Sequence, residues 1–571
     1  MDIILSPTEV WQIAVIKLLF YLFIGLGLIF FFKLKKPILL VTLISVFLAT
    51  TYLVLIYQAK VTWWGLQGDE IFVTAFLEKV ASGQPFSDFF YSGLPPFYPP
   101  LYFWLIGGLA FLFKLNGVGA AQLGVAIVLL ILPFLVYFWF SYTFKTLADQ
   151  QNSDKASSNK WKLVLAPALV FVVADWTTVI TKPYEFISAV LIVFWLAFLL
   201  CDLHFKSLNV KKILFYGISG GLLFLTFYFW FFPLVLAVAL FKLLTPTKIW
   251  YYYSRLFLVG ALVILISLPY TLPLLISSLK FGLENWQPAF FTIQSLDLFL
   301  PFFQFSIFGL VSLIGLLSII FYWSKPHFKA LGAILVSLYL WQFISLITVA
   351  FRQAPFLPDK PFVFFGGAVL AISAAYGLSE FLETKLNYKN WHSAIFVLAW
   401  LILATQLLGG SFIDSPMVRN QLITTKQPLR EELVNLIEEL KNVPDLEKLT
   451  ILSSGVPQLS AYLPFDYYIS YNIHFSHPAA NFSQRYYFIS GLAVSKSPQD
   501  FAKNLRNSPF EPIDALLLYK SNQNYPIFFW LDDYPLGGKE GTIEIPSSLI
   551  SEQYYTKIFE DKNFVFYMVK T

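Results

Sequence analysis

Ten apolar stretches of about 20 residues punctuate the first 410 positions, and no other feature so narrows what the chain can fold into. They lie at 10–32, 37–57, 119–145, 162–181, 185–203, 256–278, 302–323, 330–350, 362–382 and 392–410. A helix of that length satisfies its own backbone polar groups in hydrocarbon, so each stretch reads as a membrane crossing. A further run, 213–243, is too long for one crossing and reads as two short ones that turn near Tyr228-Phe229-Trp230-Phe231-Phe232-Pro233. The total is about twelve. A mean hydropathy of +0.67, with 57% hydrophobic and 13% charged residues, excludes an ordinary soluble domain for the bulk of the chain. The N-terminus holds Asp2 and Glu9 but no basic residue before Lys17, so the first run is a retained span, not a cleaved signal.

Basic residues thread the spans. Lys33, Lys35 and Lys36 share one loop, Lys145, Lys155, Lys160 and Lys162 surround another, and Lys206, Lys211 and Lys212 mark a third. Lys248 with Arg255, Lys325 with Lys329, and Lys385 with Lys389 complete a cytoplasmic side under the positive-inside rule. The pattern holds only if 98–114, short and opened by prolines, lies at the outer interface without crossing. Both termini, the Asp69 loop, the Lys182 turn, the 279–301 loop and the Arg352 loop then face outward together.

Beyond about residue 411, Pro, Ser, Asn, Asp and charge become frequent, and a soluble domain begins. Leu433, Leu436, Ile437 and Leu440 fall at helical spacing within 430–443, while 449–452, 515–519 and 564–569 read as strands. The expected organisation is a transmembrane catalytic domain over 1–410 and an extracytoplasmic α/β domain over 411–571. A net charge of +5 points to no nucleic-acid partner, and the single cysteine, Cys201, precludes an internal disulfide.

Chemistry gathers on the predicted outer face. Asp69 and Glu70 follow a span and could supply a general base; two acids at a helix start could equally complement its dipole. Asp88 lies in the same loop. Lys182, Tyr184 and Glu185 sit in a turn almost without a loop, where they could meet a phosphate or a sugar hydroxyl; snorkelling at helix ends is the plain alternative. Arg352, with Asp359 and Lys360 nearby, stands where positive charge is disfavoured, and a guanidinium fork suits a leaving phosphate. Tyr98, Tyr102 and Trp104 could orient a sugar by stacking, although packing explains most aromatics as well. His474 and His477 have a metal-like spacing without a third ligand and read as a surface loop. Gly220-Gly221 and Gly366-Gly367 mark close helix contacts. No P-loop or dinucleotide fingerprint occurs; the sequence calls for no cofactor and for no metal ligand set, leaving divalent-metal use open.

Several of these segments resemble one family. Gly68-Asp69-Glu70, the run Leu94-Pro95-Pro96-Phe97-Tyr98-Pro99-Pro100 with Phe103-Trp104 and Gly107-Gly108, and Lys182-Pro183-Tyr184-Glu185 resemble the galactan arabinofuranosyltransferases of the GT-C superfamily. The stretch His474 to Arg485, Asp500-Phe501-Ala502 and Ile513-Asp514 resemble the soluble domain of that family. The resemblance implies a GT-C-like polytopic helical fold and inverting transfer of an arabinofuranose-like sugar from a polyprenyl-phosphate donor to a cell-wall or cell-surface glycan. Asp69 best matches the family's base, with Glu70 beside it. Partners would be the lipid-linked donor, a glycan acceptor and membrane lipids. Transfer to a lipid or protein acceptor is the alternative of the same class, and a lipid-linked glycan transporter or flippase the alternative of another.

Overall fold

The computed structural model describes residues 6–150, 160–284, 296–352, 357, 359–384, 389–406, 425–427, 429–521, 523–532 and 538–570. The expected domain boundary at 410/411, residues 285–295 of the 279–301 loop, Lys155 and Lys385 lie outside these residues. Helices dominate the first part of the chain: α1 (Pro7–Ile29), α2 (Pro37–Leu55), α3 (Glu70–Ala81), α4 (Leu101–Phe113), α5 (Gly117–Gln150), α6 (Leu165–Val172), α7 (Trp176–Thr181) and α8 (Pro183–His204). Then come α9 (Val210–Phe227), α10 (Phe231–Leu243), α11 (Ile249–Phe281), α12 (Ile307–Phe321), α13 (Pro326–Arg352), α14 (Gly367–Thr384) and α15 (Lys389–Thr405). Among the described residues, eight helical segments are long and apolar enough to cross a membrane, and four more apolar helices are shorter. The protein is an integral membrane protein.

Local sequence explains the breaks. The run 213–243 divides into α9 and α10 around a 3-10 turn at Tyr228–Trp230, where the aromatic cluster precedes Pro233. The predicted span 162–181 is a correction: it is two short helices, α6 and α7, parted at residues 173–175. Asp175 adopts extended dihedrals and its carboxylate takes the Thr178 hydroxyl, as a short acidic side chain does when it competes with helix backbone bonding. Helix α4 has 13 residues, roughly 20 Å of rise, short of the hydrocarbon thickness. It lies against α3 where Gly107 leaves room; a Cβ there would stand 2.5 Å from Val80 Cβ. Gly220 and Gly221 likewise admit Trp195 and Ile266, as close helix contacts require.

The C-terminal part contains α16 (Glu431–Leu440), α17 (Phe482–Ala493) and α18 (Pro498–Arg506) with strands β1 (Thr450–Ser453), β2 (Asp466–Tyr467), β3 (Ala515–Tyr519), β4 (Asn524–Asp532), β5 (Gly538–Pro546), β6 (Tyr555–Glu560) and β7 (Phe564–Val569). One sheet has the order β2-β1-β3-β7-β6, with β1 parallel to β2 and β3, and β7 antiparallel to β3 and β6. A separate antiparallel hairpin joins β4 and β5. Side chains alternate along β3: Leu517 faces the core shared with the helical bundle, while Leu516 and Leu518 face α17 and α18.

That shared core is reinforced by polar clamps. Lys79 of α3 is buried and donates to Pro464 O at 2.5 Å and to Asp466 Oδ1 at 2.6 Å. Tyr467 N–H donates to Phe90 O at 2.7 Å, and Tyr91 Oη lies 2.8 Å from Ser476 Oγ. The loop between α3 and α4 is thereby sandwiched between membrane helices and sheet, and the site lies beneath this contact.

Candidate functional site

Proline builds the centre's second wall. Because Pro183 disfavours helical dihedrals at its predecessor, α7 stops, Lys182 takes φ −134°, and α8 restarts at once. The Lys182 ammonium is thus thrown clear of both helices and pairs with the Asp69 carboxylate at the N-terminus of α3. One turn into α8, Glu185 is fully buried and pairs with Lys360 at 2.7 Å. Lys360 arrives from the segment before α14 and also lies over the Phe227 ring. Two carboxylates and two ammonium groups, contributed by three distant parts of the chain, form one alternating ionic centre.

The Asp69 side chain is 33% exposed, Lys182 18% and Lys360 21%, so the centre is partly exposed while Glu185 is fully enclosed. Burial pushes the Asp69 carboxyl up, but Lys182 beside it, together with Lys360 and His474, brings it below the usual carboxylate range. Burial pulls Lys182 down, and Asp69 with Glu185 more than reverses this, so the ammonium is held above its ordinary value. Lys360 is lowered because burial outweighs the attraction of Glu185. At neutral pH Asp69 is an anion with its charge matched.

Glu70, although adjacent in sequence, turns the other way. Its Oε2 accepts from Thr62 Oγ1 at 2.5 Å and from Trp64 N–H at 2.8 Å, bracing the loop that delivers Asp69. Burial raises this carboxyl to about 7 in spite of those bonds. It borders a small pocket with Tyr52, Thr62, Tyr102, Gln122 and Thr181. The two acids therefore work in separate environments, not as one carboxylate pair.

The remaining predicted residues divide. Tyr184 is buried beside Tyr98, Tyr102 and Phe103, with ring centroids 6.0, 5.6 and 5.3 Å away, and lines the floor under the ionic centre. Tyr98 also packs on Phe72 of α3. Trp104 donates from Nε1 to Pro85 O at 2.6 Å, which fastens the loop before α4. Asp88 is fully buried and caps a turn, its Oδ1 accepting from Phe90 and Tyr91 N–H at 2.9 and 3.0 Å; burial raises its carboxyl to about 7. Arg352 is the exposed last residue of α13 and enters none of the ion pairs formed among the described residues.

Histidine reasoning from the sequence needs correction. The segment from Asn472 to Pro478 is not a surface loop: Phe475 lies 5.8 Å from the Phe72 ring, and His477 is buried against Phe97 at 5.5 Å. Burial lowers His477 to about 4 and keeps it neutral. His474, half-buried, comes close enough to Asp69 to help hold it ionised. The only sequence signal was the histidine pair itself; its approach to a residue about 400 positions earlier was not encoded in the spacing.

The structure is thus a bundle of apolar helices with an ionic centre at one end and an α/β domain packed against it. Residues 8–357 match the family described as arabinofuranosyltransferase N terminal, and the chain belongs to that family. It is similar to the galactan 5-O-arabinofuranosyltransferase of Mycolicibacterium smegmatis, 22% identical over 554 residues that cover 86% of this chain and 80% of that one. The galactan 5-O-arabinofuranosyltransferase of Mycobacterium leprae is also 22% identical, over 90% of this chain and 84% of its own. Among solved structures, ArnT from Cupriavidus metallidurans bound to undecaprenyl phosphate aligns with a TM-score of 0.48 and 12% identity over 89% of this chain and 98% of that chain. The arabinofuranosyltransferase AftD from Mycobacteria aligns with a TM-score of 0.46 and 10% identity over 92% and 40%.

Proposed function

We propose that this glycosyltransferase moves an arabinofuranose-like sugar from a polyprenyl-phosphate donor to a hydroxyl of a cell-surface glycan, with inversion, on the extracytoplasmic side. The names of its relatives favour galactan as the acceptor, and the distribution of Lys and Arg along the chain favours the outward-facing site. The observation that carries the reading is the partly exposed Asp69–Lys182 pair at the start of α3, backed by Glu185–Lys360.

Two matched ion pairs hold no spare positive charge, so a donor phosphate must draw an ammonium away from its carboxylate. Lys182 is the more mobile candidate, since it stands on a turn and its partner is the more exposed acid. As Lys182 swings to the phosphate, Asp69 loses the counter-charge that depresses it and becomes a stronger base. Asp69 then takes the acceptor hydroxyl's proton while the oxygen attacks the anomeric carbon. The bond from that carbon to the phosphate oxygen breaks, and the electron pair leaves with polyprenyl phosphate, stabilised by Lys182 and Lys360. Glu185 keeps Lys360 oriented, and Glu70 keeps the Asp69 loop in place.

The test is Asp69→Asn in lipid nanodiscs with a synthetic polyprenyl-phosphoryl arabinofuranose and a galactan oligosaccharide. Loss of transfer by about 10²-fold or more, with the fold retained, is the expected result. Wild-type turnover by the variant removes Asp69 as the base.

A further inference from the structure

The segment that delivers Asp69 to the start of α3 is held in a shape its backbone does not favour. Left-handed dihedrals stand at two of the three residues before Asp69: Leu66 has φ +60° and Gly68 φ +54°. Glycine adopts that region freely, whereas a leucine stays there only where its surroundings impose it. Leu66 is fully buried in a small cluster with Val61, Val118 of α5 and Ala461 of the α/β domain. Just upstream, the Lys60 and Val61 N–H groups both donate to Thr425 O, at 2.8 and 3.3 Å.

One hydroxyl ties this loop to the helix that follows it. Thr62 Oγ1 accepts Leu66 N–H at 3.2 Å and donates to Glu70 Oε2 at 2.5 Å, while Thr62 O accepts Gly65 N–H at 3.0 Å. The same Glu70 oxygen also takes Trp64 N–H at 2.8 Å. Thr62 and Glu70 are both buried, so water does not readily replace a bond lost between them. Asp69 therefore sits between two anchored points, Leu66 and Glu70, that share one threonine hydroxyl.

A hydroxyl donates and accepts at once, and Thr62 uses both capacities; valine has nearly the same shape and neither capacity. Proton transfer depends steeply on the placement of the base, so a shift of the loop by a fraction of an ångström reaches the rate without touching substrate contacts. We propose that Thr62 is a positioning residue for the transfer reaction, its hydroxyl clamping Leu66 to Glu70 and so fixing the direction in which the Asp69 carboxylate meets the acceptor hydroxyl. The assignment rests on Asp69 being the base. Thr62 acts only through it.

The experiment uses the full chain in lipid nanodiscs with polyprenyl-phosphoryl arabinofuranose and a galactan oligosaccharide. The variants are Thr62→Val, Thr62→Ser, Asp69→Asn and the double variant Thr62→Val with Asp69→Asn; kcat and the KM for each substrate are measured. Thr62→Val is expected to lower kcat about tenfold with both KM values within about twofold. Thr62→Ser, which keeps the hydroxyl, is expected to stay within about threefold of the wild type. In the Asp69→Asn background, adding Thr62→Val is expected to change the residual rate by less than about twofold, because no base is left to misplace. Wild-type kcat in Thr62→Val, a serine variant as slow as the valine one, a change confined to KM, or the same tenfold loss without Asp69 overturns the proposal. Should Thr62→Val fail to fold, Thr62→Cys, whose thiol is a weak donor, takes its place with the same expected and overturning results. A fully active Asp69→Asn removes the base and the clamp's purpose together; an inactive Asp69→Asn beside a fully active Thr62→Val removes the clamp alone.

Discussion

Helix α8 has a lysine–carboxylate cluster at each end, and the two are built differently. At its C-terminal end Asp202 accepts from Lys212 Nζ and Ser207 Oγ, both at 2.6 Å, and from Tyr216 Oη at 2.8 Å. Every partner lies within 14 residues, and the Asp202 side chain is 6% exposed. At the N-terminal end Asp69 meets Lys182 from more than a hundred residues away, and a third of its side chain is open. A carboxylate saturated by its own neighbourhood locks a helix hairpin. One paired across the fold and left partly exposed is not saturated in this way, and under the proposed mechanism it releases Lys182 to a substrate's phosphate.

The strongest way to break this comparison is to remove the Lys182 charge. Lys182→Met is expected to lower turnover by about 10²-fold or more, through lost phosphate stabilisation, in a chain that still folds. A stopped-flow or endpoint transfer assay showing full activity would make the N-terminal cluster as structural as the other one. Asp202→Asn sharpens the contrast from the opposite end: stability is expected to fall by roughly 1–3 kcal/mol, read as a lower unfolding temperature, because Lys212 and Tyr216 lose a charged acceptor. Turnover of the folded fraction should stay within about twofold.

A smaller effect separates the adjacent acids by pH. Glu70 is raised from 4.5 to about 7, so the folded state binds a proton that the unfolded chain releases. Its contribution to stability is complete below pH 4.5 and declines as pH rises through about 7. Asp69 is depressed below 3.8, so its contribution has the opposite sign: it is present above that pH and lost as pH falls through the lowered value. Glu70→Gln should therefore flatten the fall in unfolding temperature between pH 5 and 8, and an unchanged slope would refute the buried-acid reading. The smallest expected effect belongs to Arg352→Ala: as an exposed residue outside the ion pairs, it should alter turnover by less than about twofold, and a tenfold loss would bring the end of α13 back into the site.

Much of the helical layer was legible because apolar length is itself the physical requirement for crossing hydrocarbon. The break at Tyr228–Trp230 showed in excess length, and β3 and β7 appear over 515–519 and 564–569 as their apolar runs predict. The split between α6 and α7 was hidden, since Asp175 is one acid in an otherwise apolar stretch. The β4–β5 hairpin went unread, with Pro526 inside β4 interrupting the strand pattern. Asp69, Lys182 and Lys360 each stood out by position near a span, but nothing local tells which cation meets which carboxylate.

From its amino acids alone, the chain was committed to a bundle of membrane helices, to a strand-bearing C-terminal part, and to ionisable groups concentrated near one set of span ends, because hydrophobic length, periodicity and charge placement act over a few turns of chain. Only the tertiary structure decided that Asp69 faces Lys182 while Glu70 faces Thr62, that Arg352 enters none of the ion pairs among the described residues, and that His474 arrives from the far end of the sequence. Those outcomes depend on how separate helices and the sheet pack, and that packing fixes side-chain direction over distances no local pattern reaches.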